Sequence, residues 1–87
     1  MNHVVAYQLL SDELNTYRAL SFAELVPLVG ERSSRINHRD GIDYRLEVAV
    51  AKSPAAHDIH VTCSIGEANW GSPHDRLEDA IIIHQPA

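Results

Sequence analysis

The chain has 87 residues and a net charge of −5, from 7 basic and 12 acidic residues with histidine counted as neutral. This length predicts one small domain, in which a single packing layer on a sheet is marginal and oligomerisation is a common supplement. The acidic balance argues against nucleic-acid and anionic-lipid partners, because both bind basic patches. The single cysteine, Cys63, excludes an intramolecular disulfide.

The composition also bears on location. No run approaches the roughly 20 apolar residues of a membrane-spanning helix, and the first residues lack the basic and apolar segments of a secretory signal. We therefore expect a cytoplasmic protein without a membrane partner. The apolar content of 45% is ordinary for a folded domain.

Residues 3 to 20 predict an amphipathic helix, because apolar residues recur at spacings of three and four. Asp12, Glu13, Asn15 and Arg18 fall mostly on the opposite side, and a later start capped at residues 11 to 13 is an alternative. The predicted apolar stripe consists of Tyr7, Leu9, Leu10, Leu14, Tyr17 and Leu20.

A second, short helix is predicted from Phe22 to Val29. Ser21 and Glu24 match a capping box, in which each side chain bonds the other residue's amide. Pro27 predicts a kink, because proline removes one helical hydrogen bond. Gly30 suits the left-handed position that ends a helix.

Residues 33 to 38 predict a first strand, and Asp40-Gly41 predicts a turn after it. A three-residue loop would pair Ile36 with Tyr44 and place both on the inward, core-facing side. A two-residue Asp-Gly turn would instead set Ile36 opposite Arg45. We favour the three-residue loop because it buries Ile36.

Two strands with matching alternation form the centre of the predicted fold. Large apolar residues occupy even positions from Tyr44 to Ala51 and odd positions from Ile59 to Ile65, so each strand has one apolar face. Pairing Lys52 with Ile59 sets large residue against large along the whole ladder, whereas a slip by one residue would not. Cys63 then faces inward as a small buried hydrophobe.

The rest of the chain predicts a loop over residues 66 to 73 and a last strand over residues 80 to 84. Trp70 lies in that loop and is interpreted as a lid over one end of the core. The fold class predicted is α+β: two N-terminal helices, one longer and one short, on one face of a three- to four-stranded antiparallel meander.

The reverse, outer face of this sheet predicts an interaction surface. Its small side chains carry little charge, and Ile82 faces outward although Ile81 and Ile83 face inward, as in a strand covered on both sides. We predict self-association through this face or the last strand. Two alternatives stay open: Ile82 as a scattered surface residue, and a small-ligand groove. The predicted interface consists of Ala49, Ala51, His60, Thr62, Ile82 and His84.

A metal-binding protein or enzyme is the alternative function. It would use His57 and His60 with a carboxylate from Glu67 or from Glu78-Asp79. Residues three apart on a strand point to opposite faces, so the two imidazoles need not converge. The chain has no glycine-rich phosphate loop, nucleophile elbow or CxxC motif. We therefore predict no catalytic residue, metal or cofactor, and expect a dimer or another protein partner.

The order of motifs resembles a family of small uncharacterised bacterial proteins. The matching stretches are residues 17–25 (YRALSFAEL) with Val29-Gly30-Glu31, residues 40–47 (DGIDYRLE), the Trp70 loop and the closing isoleucine run. The resemblance implies a helical N-terminus followed by antiparallel strands. It implies no activity and no catalytic residues.

Overall fold

In a computed structural model, which describes residues 1–54, 56–68 and 75–86, two helices precede a four-stranded antiparallel sheet. Helix α1 spans His3–Arg18, and α2 spans Phe22–Leu25 and continues as a 3₁₀ turn over Val26–Leu28. The strand order is β1-β2-β3-β4, as in a simple meander. This confirms the predicted α+β class. The strands are β1 Arg32–Arg39, β2 Ile42–Lys52, β3 Ile59–Glu67 and β4 Leu77–Ile83.

Helix α1 begins where Asn2 caps it, with the Asn2 side-chain oxygen accepting from the amides of Val4 and Val5. It packs on the inner face of β3 and β4. No helix of the described residues is long and apolar enough to cross a membrane. The core-facing residues of α1 are Ala6, Leu9, Leu10, Glu13 and Leu14.

The structure corrects the predicted placement of two residues of α1. Tyr7 is 56% exposed and Ala6 takes the inward position instead. Glu13, expected on the polar side, is buried and contacts Arg35 of β1. The periodic pattern found the correct side of the helix but placed its centre about one residue away, because only the sheet fixes the helix rotation.

The second helix is shorter than predicted. The Ser21–Glu24 capping box is present, with both reciprocal bonds formed at 3.0 and 3.1 Å. Regular α-helix stops at Leu25 because Pro27 has no amide to donate, and the chain tightens into the 3₁₀ turn. Gly30 follows with a φ of +90° and donates to the Val50 carbonyl, which leads the chain into the sheet.

The β2–β3 ladder has the predicted register, with Lys52 opposite Ile59, Val48 opposite Cys63 and Leu46 opposite Ile65. These residues face the helices, and all of them except Lys52 are buried. The core therefore lies between α1 and the inner face of the sheet. Its strand residues are Tyr44, Leu46, Val48, Val50, Ile59, Val61, Cys63, Ile65 and Ile81.

The β1–β2 hairpin differs from the prediction. Arg39 pairs with Ile42, so the loop has two residues, and Ile36 lies opposite Arg45 on the outer face rather than inward. Asp40 and Gly41 have φ of 52° and 79°, and two central residues with positive φ define the favoured mirror-image hairpin turn. The preference of Asp40-Gly41 for a two-residue turn therefore decides the hairpin register, although this register leaves Ile36 exposed.

The last strand begins earlier than predicted, at Leu77 rather than Ala80, because Leu77 and Glu78 continue the ladder opposite Ile65 and Ser64. Leu77 packs against the core, which accounts for the extra length. The predicted Trp70 lid lies outside the described residues.

Candidate functional site

The outer face of the sheet is the surface that the described helices leave uncovered. At one end of it, the register sets Ala51 beside His60 and His60 beside Ile82. The next row sets Ala49 beside Thr62 and Thr62 beside Ala80. We name these six residues the uncharged corner. It contains five of the six residues predicted as an interface, and that role stays a prediction.

His84, the sixth predicted residue, follows β4 instead of lying within it. Its ring Nδ1 is 3.0 Å from Asp58 Oδ2, and the Gln85 amide donates to Asp58 Oδ1 at 3.1 Å. These contacts, with the Gln85 amide as the larger cause, hold the pKa of Asp58 below its ordinary value. The ladder ends at Ile83, which pairs with Ile59, the first residue of β3, and Asp58 binds the two residues that follow.

The rest of the outer face is charged, and an open groove of about 490 Å³ extends from it to Ala49 and Thr62 of the uncharged corner. Arg76 lies across this groove: its Nη2 donates to Ser64 Oγ at 2.6 Å and is 3.8 Å from Glu47 Oε2. Gly66 permits this path, because a Cβ there would lie 3.3 Å from Arg76 Cγ. The lining residues are Arg32, Ser33, Ser34, Glu47, Val48, Ala49, Thr62, Ser64, Arg76 and Glu78.

Two large apolar side chains are half exposed on the outer face. Ile82 of β4 is 53% exposed, and Ile36 of β1 is 51% exposed. They lie at opposite ends of the outer face, since Ile36 pairs with Arg45 near the β1–β2 turn and Ile82 pairs with His60 at the other end. The helical side also exposes apolar residues, with Val4 at 78%.

The residues of the metal or enzyme alternative are not gathered into one site. His57 is exposed in the loop before β3 with a φ of 58°, whereas His60 is on the outer face. Glu78 and Asp79 are consecutive in β4 and so project to opposite faces. Over residues 1–54, 56–68 and 75–86, no three His, Cys, Asp or Glu side chains are placed to hold a metal ion.

The sequence reasoning missed the charged part of the face. Arg45 and Glu47 have the same outward parity as Ala49, so the alternation that located the uncharged corner could also have located them. No alternation pattern predicted the position of Arg76, because this residue precedes β4 and its position depends on the path by which the chain enters that strand.

No family model, curated protein or solved structure matches the chain. The resemblance to small bacterial proteins therefore stays a prediction, and function is argued below from the outer face alone.

Proposed function

We propose that the protein is an interaction module that forms a homodimer through the outer face of its sheet. One observation carries this proposal: the described helices cover only the inner face, while the outer face exposes Ile36 and Ile82. A sheet in a small domain gains stability when both faces are covered. A second copy would supply the layer that the described residues do not place on the outer face.

The sheet edges are less suited to self-association than the face. At the β4 edge, the Ala80 amide donates to Asp79 Oδ1 at 2.8 Å, so it is not free to pair with another strand. The β1 edge carries Arg32, Arg35 and Arg39, whose like charges oppose pairing with a second β1. Both are devices that protect exposed edges, so the proposal commits to the face.

The charge of the outer face favours a second copy over a strongly charged partner. Its three arginines are balanced by three carboxylates, although the whole chain carries −5. Two such faces meet without net repulsion, whereas a basic or acidic partner finds no complementary field. The residues are Arg32, Arg45, Arg76, Asp43, Glu47 and Glu78.

The size of the face sets the expected strength. Four strands about 4.8 Å apart, each about seven residues long at about 3.3 Å per residue, give about 450 Å² per copy. Two copies together reach about 900 Å², which is below the roughly 1,200 Å² of a standard stable interface. We therefore expect a weak dimer that dissociates on dilution.

The test is a pair of lysine substitutions, one on each side of the molecule. Ile82→Lys places a charge in the proposed interface and is expected to give a monomer with an unchanged circular-dichroism spectrum, since a desolvated ammonium is costly. Val4→Lys, on exposed α1, is the matched control and should leave the dimer intact. The mass is measured by gel filtration with light scattering.

Two results would contradict the proposal. An unchanged dimer in Ile82→Lys would remove the sheet face as the interface. Dissociation by Val4→Lys instead would assign the interface to the helical layer.

A further inference from the structure

Strand β1 forms one edge of the sheet and is open along its whole length. Among the described strands it pairs with β2 alone. The pairing runs residue for residue from Arg32 to Arg39, and β1 contains no proline. Every residue of β1 is exposed except Asn37, which is half-buried. At about 3.3 Å per residue, the edge is about 26 Å long, so it has room for an extended segment of the same length as β1.

Every second residue of β1 directs its backbone groups away from the sheet. Val50 of β2 uses both backbone groups toward the β1 side, because its amide donates to the Glu31 carbonyl and its carbonyl accepts from Gly30. Alternate residues of an antiparallel strand bond the same neighbour, so the even-numbered residues of β2 bond β1. Their partners in β1 are the odd-numbered residues. The residues whose amide and carbonyl groups point away from the sheet are therefore Arg32, Ser34, Ile36 and His38.

The β1 edge is basic although the whole chain is acidic. The strand contains three arginines and no carboxylate, whereas the chain carries a net charge of −5. Arg35 contacts Glu13. Within the described residues, Arg32 and Arg39 form no ion pair. The same arginines that repel a second β1 therefore attract an acidic strand. The other nearby carboxylates lie at the ends of β1 or bond His38, and they are Glu31, Asp40 and Asp43.

We infer that the β1 edge binds an acidic, extended segment of another protein, which joins the sheet as a fifth strand. In this mode of recognition, main-chain hydrogen bonds provide affinity and alternate side chains provide specificity. Acidic side chains of the segment lie beside Arg32 and Arg39, and an apolar one lies beside half-exposed Ile36. The edge stays accessible when two outer faces meet, so this binding does not require the homodimer.

The β4 edge of a second copy is a less suitable occupant, although it carries Glu78 and Asp79. Asp79 Oδ1 accepts from the Ala80 amide at 2.8 Å, so one donor that strand addition needs is already bonded. Pairing of β1 with β4 of the next copy is also a head-to-tail contact, which gives open chains unless it closes into a ring. The edge is therefore assigned to a separate, acidic partner.

Binding is tested with a synthetic peptide as long as β1 and blocked at both ends. For antiparallel pairing, it has glutamate opposite Arg32, Arg35 and Arg39, valine opposite Ile36 and threonine elsewhere. Fluorescence polarisation of the labelled peptide should show binding at low ionic strength that weakens as salt is added. The same peptide with lysine in place of each glutamate is the control and should not bind.

Two variants of Ser34 test for strand addition. Ser34→Pro removes an amide that points away from the sheet and leaves the ladder to β2 complete, as prolines on edge strands do, so peptide binding should be lost. Ser34→Ala keeps the amide and should bind the peptide as the unaltered protein does. Circular dichroism checks that both variants are folded.

Two charge reversals test the basic character of the edge. Arg39→Glu is expected to weaken peptide binding about fivefold, because it replaces an exposed attraction by a repulsion. Lys52→Glu changes the net charge equally at an exposed position of β2 beyond the end of β1, and should have little effect.

Three results would overturn this assignment. The first is no binding of the acidic peptide up to millimolar concentration, and the second is equal binding by Ser34→Pro, which would show charge attraction without strand pairing. The third is assembly of the unaltered protein beyond a dimer that Arg39→Glu abolishes, which would assign the edge to β4 of a second copy. The homodimer is tested separately by Ile82→Lys, so the failure of either proposal leaves the other standing.

Discussion

At the scale of single residues, burial decides what Cys63 can do. Its side chain is fully buried on the inner face of β3. Desolvation raises the pKa of the thiol to about 12, with the Glu13 carboxylate adding to the rise and Arg35 opposing it. The reactive form of cysteine is the thiolate. Cys63 therefore serves packing and not nucleophilic chemistry.

We expect Cys63 to be inert toward Ellman's reagent at pH 8 in the folded protein and to react fully in denaturant. The reaction should be limited by opening of the structure, so its rate should rise as urea is added. Complete labelling within the mixing time in native buffer would contradict the burial of this thiol.

Asp58 is a second residue whose environment has a measurable consequence. Because the pKa of its carboxyl is lowered in the folded state, chiefly by the Gln85 amide, the carboxylate contributes stability above its unfolded pKa. That contribution is lost as the pH falls through the lower, folded value. The stability that Asp58 contributes therefore increases with pH, as expected for a carboxyl group whose ionised form is favoured by folding.

Replacing Asp58 by Asn should lower the unfolding temperature at pH 7, and the difference from the unaltered protein should shrink between about pH 5 and pH 3. Asp40→Asn, in the exposed hairpin turn, is the control and should show no comparable effect. Thermal melts at a series of pH values give the answer. A difference that grows on acidification would refute the assignment.

At the scale of elements, one ion pair joins helix α1 to the outermost strand. Glu13 is buried on the inward side of α1, and its Oε2 contacts Arg35 Nη2 of β1. Within the described residues this oxygen accepts no well-angled hydrogen bond, so the guanidinium acts as its counter-charge. The pair links β1 to a helix that otherwise packs on β3 and β4.

Arg35→Ala should destabilise the fold by about 1–2 kcal/mol, because it leaves a buried carboxylate without its partner. This is less than for a fully buried pair, since Arg35 itself is largely exposed. Arg39→Ala, on the same strand and with the same parity, is the control. Urea denaturation measures the free energy of unfolding of both variants. An equal decrease in the two variants would show that the ion pair contributes nothing specific.

The sequence was most informative where its pattern repeats. The β2–β3 register follows from alternation alone, because every one of its pairs would be lost by a slip of one residue. It was least informative where the position of a single residue depends on a turn or on a contact distant in sequence. Ile36 faces outward because the Asp40-Gly41 turn fixes the hairpin, and Glu13 is buried because Arg35 lies across from it, a contact that no local pattern contains.

At the scale of the whole molecule, the main feature is that helices pack on one face of the sheet. The helices cover the inner face of the sheet, and the described chain supplies no helix or strand for the outer face. The uncharged corner was predictable because it lies on strands with clear alternation. Its combination with a groove crossed by Arg76 was not, because that arrangement depends on the return to β4.

The most direct measurement is the light-scattering mass of the unaltered protein over a wide range of concentrations. We predict a mass that rises from the monomer value of 9.7 kDa toward twice that value as concentration increases, with Ile82→Lys staying at the monomer mass throughout. A constant 9.7 kDa for the unaltered protein, up to millimolar concentration, would contradict the proposed homodimer.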